Sequence, residues 1–216
     1  MIYEQFKKGI NIGGWLSQYD IIAEKPLTED SLRQHFDSFI KEDDIRQIAS
    51  WQFDHIRLPI SGYLIYDVEG NHLNSDTLEY LYKCIKWCSD CHLNTVLDLH
   101  DIYGNVYGAM DSAMPLLTDA DLQERFIRVW ELLAQELLNV QGMVIMFELL
   151  NEVSDASGSY PFSDIAGEHY DFSHKESLLW NKLYKRCIER IRRIDPDRFI
   201  LVGSNGQNSV VYLKEL

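Results

Sequence analysis

The sequence predicts an α/β fold in which parallel strands alternate with helices. Three observations carry that expectation. Five short runs of β-branched and large apolar residues recur along the 216 residues, each followed by a polar loop and a stretch with helical periodicity. The fourth run, starting at Met143, is apolar without in–out alternation, the composition of a strand covered on both faces. Several of the runs also end on polar or charged side chains, as Asp98 to His100 and Asn151 to Glu152 do. Strand–helix–strand order implies right-handed crossovers. No linker or low-complexity tract divides the chain, so one domain over 1–216 is expected.

The first run, Lys8 to Trp15, opens into the turn Gly13-Gly14, with Asn11, Gly13 and Trp15 on one face by the two-residue period. From Tyr19 to Glu42 the chain is polar and acidic, broken at Pro26. Glu42-Asp43-Asp44 then places negative charge in the first turn of a helix, where the macrodipole favours it. The second strand is Phe53 to Ile60, with His55, Arg57 and Pro59 on one face. A helix starting at 74–77 shows Asp76 and Glu79 in a capping-box-like pattern, with an apolar stripe of Leu78, Leu81, Tyr82 and Ile85. The third strand, Asn94 to His100, sets Val96, Asp98 and His100 together. A loop rich in glycine and tyrosine follows it, from Asp101 to Gly108. The next helix opens near Thr118 to Asp121 and ends before Gly142. The fourth strand closes on Asn151-Glu152 and leads into a long loop, Val153 to Ser173. A loop of that length is more often functional than neutral. A helix follows until Asp195-Pro196 stops it. The fifth strand is Arg198 to Gly203, with a loop at 204–209 and the start of a fifth helix at 210–216.

Composition narrows the function. Hydrophobic residues make up 46% and charged residues 25%, the profile of a globular protein. A net charge of −14 leaves no basic patch for nucleic acid or for an anionic membrane. No apolar run is long enough to span a bilayer. The first nine residues lack a signal-peptide core, so the chain is expected to be cytoplasmic or a trimmed secreted protein. The glycines have the wrong spacing for a phosphate loop, and no cofactor or metal is expected.

The strand parities gather polar residues in one place. Asn11, Arg57, Asp98, His100, Glu148, Asn151 and Glu152 would face the barrel interior or the rim at the C-terminal ends of the strands, where a purely structural core would carry Val, Ile and Leu. An ion pair of Arg57 with Asp98 or Glu148 is the structural alternative for those acids, and loop capping is the alternative for Asn151 and Glu152. A carboxylate closing a buried strand is costly to desolvate unless the site uses it. Trp15, Tyr19, Tyr63, Tyr103 and Tyr107 lie in loops at the same rim and offer faces on which sugar rings pack, although each of them could equally be ordinary aromatic packing.

Four segments together, Gly9-Ile-Asn-Ile-Gly-Gly-Trp-Leu16, His55-Ile-Arg-Leu-Pro59, Val96-Leu-Asp-Leu-His100 and Phe147-Glu-Leu-Leu-Asn-Glu152, resemble glycoside hydrolase family 5, the family of cellulases and related β-glucanases and mannanases. The resemblance implies a (β/α)8 TIM-type barrel, of which this chain covers about the first five β/α units, and retaining hydrolysis of β-linked polysaccharide. Carried over by position, it makes Glu152 the acid/base. Arg57, His100 and Asn151 become substrate-binding residues, with Trp15 and Tyr103 as aromatic contacts. The family takes its nucleophilic Glu from the seventh strand. No residue here matches it, so the chain is expected to be C-terminally incomplete and inactive alone. An open edge at the fifth strand is expected to favour self-association. Asp101-Ile-Tyr-Gly departs from the basic, proline-containing form of the close relatives, which bears on the substrate. The alternatives are a non-catalytic carbohydrate-binding remnant or half-barrel needing a partner chain. More remote is a radical-SAM-type partial barrel, suggested by the spacing of Cys84, Cys88 and Cys91. Those cysteines, however, fall on a helical stripe.

Overall fold

A computed structural model describes residues 4–23, 27–67, 71–105, 115–153, 174–208, 213, 214 and 216. The strands are β1 (Gly9–Asn11), β2 (His55–Ser61), β3 (Asn94–Asp101), β4 (Ile145–Glu148) and β5 (Phe199–Leu201), in the sheet order β1-β2-β3-β4-β5. The helices are α1 (Tyr19–Ile22), α2 (Glu29–Phe39), α3 (Glu42–Ser50), α4 (Gly62–Ile65), α5 (Ser75–Asp90), α6 (Ala120–Leu137), α7 (His174–Ile194) and α8 (Asn205–Asn208). Strand follows strand in chain order with a helix between, as the sequence predicts. The chain comprises two compact units. The first is Met1–His100 with Asn139–Phe147, and the second is Asp101–Leu138 with Glu148–Leu216.

In the first unit β1 pairs with β2 in parallel, Gly9 opposite His55 and Asn11 opposite Arg57. The β1 strand is shorter than expected and stops at Asn11. Gly14 then turns the chain at φ 83°, and a side chain there would meet Ile22 at 2.5 Å. The 19–42 segment, read as merely polar, contains α1 and α2. The N-terminus of α2 is capped reciprocally: the Ser31 N–H donates to Thr28 Oγ1 (3.2 Å) and the Thr28 N–H to Ser31 Oγ (3.1 Å). The cap of α5 also differs from the expectation. Asn74 accepts from the N–H groups of Asp76 and Thr77, while Glu79 pairs with Lys83 one turn on. Asn94 fastens three segments, donating to Gln5 O and accepting from the Val144 N–H. The core of this unit includes Trp15, Leu16, Phe36, Ile56, Leu58, Leu81, Cys84, Leu97 and Leu99, all at most 2% exposed.

The second unit is organised by α6 and α7. Asp119 caps α6 through the N–H groups of Asp121 and Leu122. Arg190 of α7 grips Glu131 of α6 with two hydrogen bonds of 2.6 and 2.9 Å. Phe126, Trp130, Leu133, Trp180, Leu183, Cys187 and Ile191 are buried in this unit, with the rings of Phe126 and Trp180 6.0 Å apart. Gly142 lies five residues beyond the end of α6 and is not its cap; it takes φ 127° where a Cβ would strike Ser89, within the first unit. The stretch expected as a loop at 204–209 begins with α8, while the long loop at 154–173 falls outside the described residues, as do Tyr107 and most of the expected fifth helix.

Candidate active site

Each unit carries part of the expected polar cluster. In the first unit, parallel pairing sets Asn11 beside Arg57, and the two-residue period of β3 sets Asp98 and His100 on one face. These side chains are in contact. Arg57 Nη1 donates to Asn11 Oδ1 at 2.9 Å, and its Nη2 lies 2.9 Å from Asp98 Oδ2. His100 Nδ1 lies 2.9 Å from the same Oδ2. Asp98 is fully buried, whereas the Arg57 and His100 side chains keep 24% and 15% of their surface. One buried carboxylate oxygen thus contacts two side chains that keep partial exposure. Of the two acids proposed for Arg57, Asp98 is the one in contact within this unit.

In the second unit the end of β4 is held by its backbone. The Leu149 N–H donates to Leu201 O (3.1 Å), and Leu149 O accepts from Trp130 Nε1 (2.9 Å). Leu149, Leu150 and Val153 are buried and Asn151 is 8% exposed. Between them Glu152 is half-buried and takes φ 41°, a left-handed conformation that glycine or asparagine adopts readily and glutamate does not. Such a conformation persists where its surroundings over-determine it, and residues of this kind cluster at functional sites. The sequence neighbours of Glu152, Asn151 and Val153, are both buried.

The aromatic expectations fare differently. Trp15 is fully buried, its Nε1 donates to Phe36 O at 2.9 Å, and its ring stacks on Trp87 at 6.0 Å. It is a core side chain, which corrects its expected place in the sugar site. Tyr19 is likewise buried. Tyr63 donates to Asp20 at 2.8 Å. Tyr103 is half-buried, with the Arg125 guanidinium 4.8 Å above its ring.

Among the described residues no group of three or more His, Cys, Asp and Glu side chains is placed to hold a metal ion. Cys84 and Cys88 are buried one turn apart on α5. The hydrogen bond between them and their burial push the Cys84 thiol well above its usual range, the opposite of what a cluster ligand needs. Burial does the same to Cys187, and, more mildly, to the half-exposed Cys91. No described helix is long and apolar enough to cross a membrane.

The family model for cellulase, glycosyl hydrolase family 5, matches residues 22–214. The chain belongs to glycosyl hydrolase family 5. Among curated relatives, endoglucanase C of Acetivibrio thermocellus is 36% identical over 213 residues, covering 98% of this chain and 53% of that protein. Cellodextrinase A of Ruminococcus flavefaciens is 34% identical over 202 residues, covering 94% and 51%. The chain therefore spans about half the length of the curated relatives it matches. Endoglucanase Cel5A of Thermotoga maritima superposes with a TM-score of 0.68 at 22% identity, over 99% of this chain and 57% of that one. That enzyme has also been solved with cellobiose and with mannotriose. The fold class is the β/α barrel type of this family, with five of its parallel strands present here.

Proposed function

We propose that this chain carries the acid/base half of a retaining β-glycosidase that acts on β-linked glucan, as an endo-β-1,4-glucanase does. The observation that carries the reading is Glu152, a half-buried glutamate held in left-handed backbone at the end of a buried strand. Glu152 protonates the leaving glycosidic oxygen, and then, as carboxylate, takes a proton from the attacking water. Asn151 hydrogen-bonds the sugar hydroxyl next to the scissile bond. Arg57 and His100 bind and orient substrate, and Tyr103 offers an aromatic face. Endoglucanase C and cellodextrinase A, the relatives named above, support glucan as the substrate, and the Cel5A complexes with cellobiose and mannotriose fit a site that accepts β-linked hexose chains.

A retaining mechanism needs a second carboxylate about 5–5.5 Å from the first to attack the anomeric carbon. No residue of these 216 matches the family's nucleophile, so the polypeptide alone binds cello-oligosaccharide without cleaving it. The test is titration with cellotriose together with activity on a panel of β-glucans and mannans, for the native chain and for Glu152→Gln. Binding without turnover is expected in both. Measurable hydrolysis by the native polypeptide refutes the inactivity. Should there be hydrolysis, Glu152→Gln lowers it about 10²–10⁴-fold if Glu152 is the acid/base, and equal rates remove Glu152 from the mechanism.

A further inference from the structure

The three-way contact at Asp98 does more than neutralise Arg57. An Arg–Asp pair in a strand interior is a poor way to gain stability, because apolar residues of the same volume often serve as well or better. The neighbours Leu97 and Leu99 are fully buried and could have continued as an apolar strand. What the carboxylate supplies is geometry. Both the Arg57 Nη2 and the His100 Nδ1 contacts converge on one oxygen, Asp98 Oδ2, at 2.9 Å each. An ionised carboxylate donates nothing, so His100 Nδ1 must carry the hydrogen. In the neutral ring the lone pair then sits on Nε2. Arg57 is fixed at a second point by Asn11 Oδ1, so its guanidinium plane is set by two acceptors.

We propose that Asp98 is the positioning residue of this site: it locks His100 in the Nδ1–H tautomer and fixes the plane of Arg57, so that Nε2 accepts a hydrogen from a ligand hydroxyl. The ligand class is a polyol or sugar presenting a donating O–H. Only the choice of sugar rests on the glycosidase reading above; the tautomer does not.

The test is side-chain ¹H–¹⁵N correlation of His100 in the 216-residue chain at a pH where the ring is neutral. The native protein is expected to show protonated Nδ1 and bare Nε2. A bare Nδ1 overturns the inference without any variant being made. In Asp98→Asn the carboxamide can donate as well as accept, so a mixture of both tautomers is expected; an unchanged single tautomer also overturns the inference. Cellotriose is then added. A shift of Nε2 in the native protein, and binding about tenfold weaker in Asp98→Asn, the cost of one hydrogen bond, complete the expected result. The predicted tautomer with no response to cellotriose sustains the role of Asp98 and refutes the sugar assignment.

Discussion

Glu152 makes a prediction that separates backbone strain from chemistry. An L-residue in the left-handed region brings its Cβ too close to the following carbonyl, at a cost of about 1–2 kcal/mol. At φ 41° Glu152 bears that cost. Glu152→Ala removes the carboxyl but keeps the Cβ, and therefore keeps the strain. Glu152→Gly removes both, while the freer unfolded chain gives back about 0.5–1 kcal/mol. Taken at mid-range, the difference leaves the glycine variant about 0.5–1 kcal/mol more stable than the alanine variant. For a chain of 150–250 residues each kcal/mol moves Tm by about 2–4 °C, so a gap of about 1–4 °C is expected. Thermal melts and urea titrations of the two variants, run side by side, measure it. An alanine variant as stable as the glycine variant, or more so, would show that position 152 carries no strain and would undo the argument from backbone to function.

Two further outcomes follow from the packing. Trp15→Ala should cost about 3–5 kcal/mol of stability, as loss of a buried aromatic does, seen as a lower urea midpoint; a near-neutral stability change with lost sugar binding would restore Trp15 to the binding surface. Asp54 accepts the N–H groups of Lys7 and Lys8 and sits beside His55. Partial burial pushes its carboxyl upward, but His55 and the two N–H groups outweigh that and hold it below the usual range. A folded value below the unfolded one means that the stabilisation is complete above the unfolded value, about 3.9, and is lost as pH falls through the folded value. Asp54→Asn should therefore flatten the acid limb of the stability profile below about pH 4; an acid limb as steep as that of the native chain would count against it.

The strands and the polar ends of the sheet were readable because their signals are local. Apolar runs mark β2 to β5, and strict alternation carries Arg57, Asp98 and His100 to the same face. Trp15 escaped this logic. Its parity with Asn11 holds only if the strand continues, and the strand ends at Asn11 before the turn through Gly14 sends the indole into the core. The α2 helix was hidden by composition: Leu32, Phe36 and Phe39 are its large apolar residues among eight that are polar or charged, and Phe36 alone is buried. Its strongest signal was the Thr28–Ser31 cap, which needs no apolar stripe. The backbone of Glu152 could not be read at all, since nothing in glutamate favours positive φ. The surroundings of that turn, the backbone bonds of Leu149 and the burial of Leu150 and Val153, are long-range facts as well. The anchoring role of Asp98 was half-visible: the ion pair could be anticipated, but not that one oxygen would serve two donors.

The four thiols turn the division of the chain into something that can be timed. Cys84 and Cys88 are sealed in the first unit and Cys187 in the second, while Cys91 is partly open. A maleimide added to the folded protein meets Cys91 first. Every later adduct dates an opening event, and digestion followed by mass spectrometry says which half of the molecule breathed.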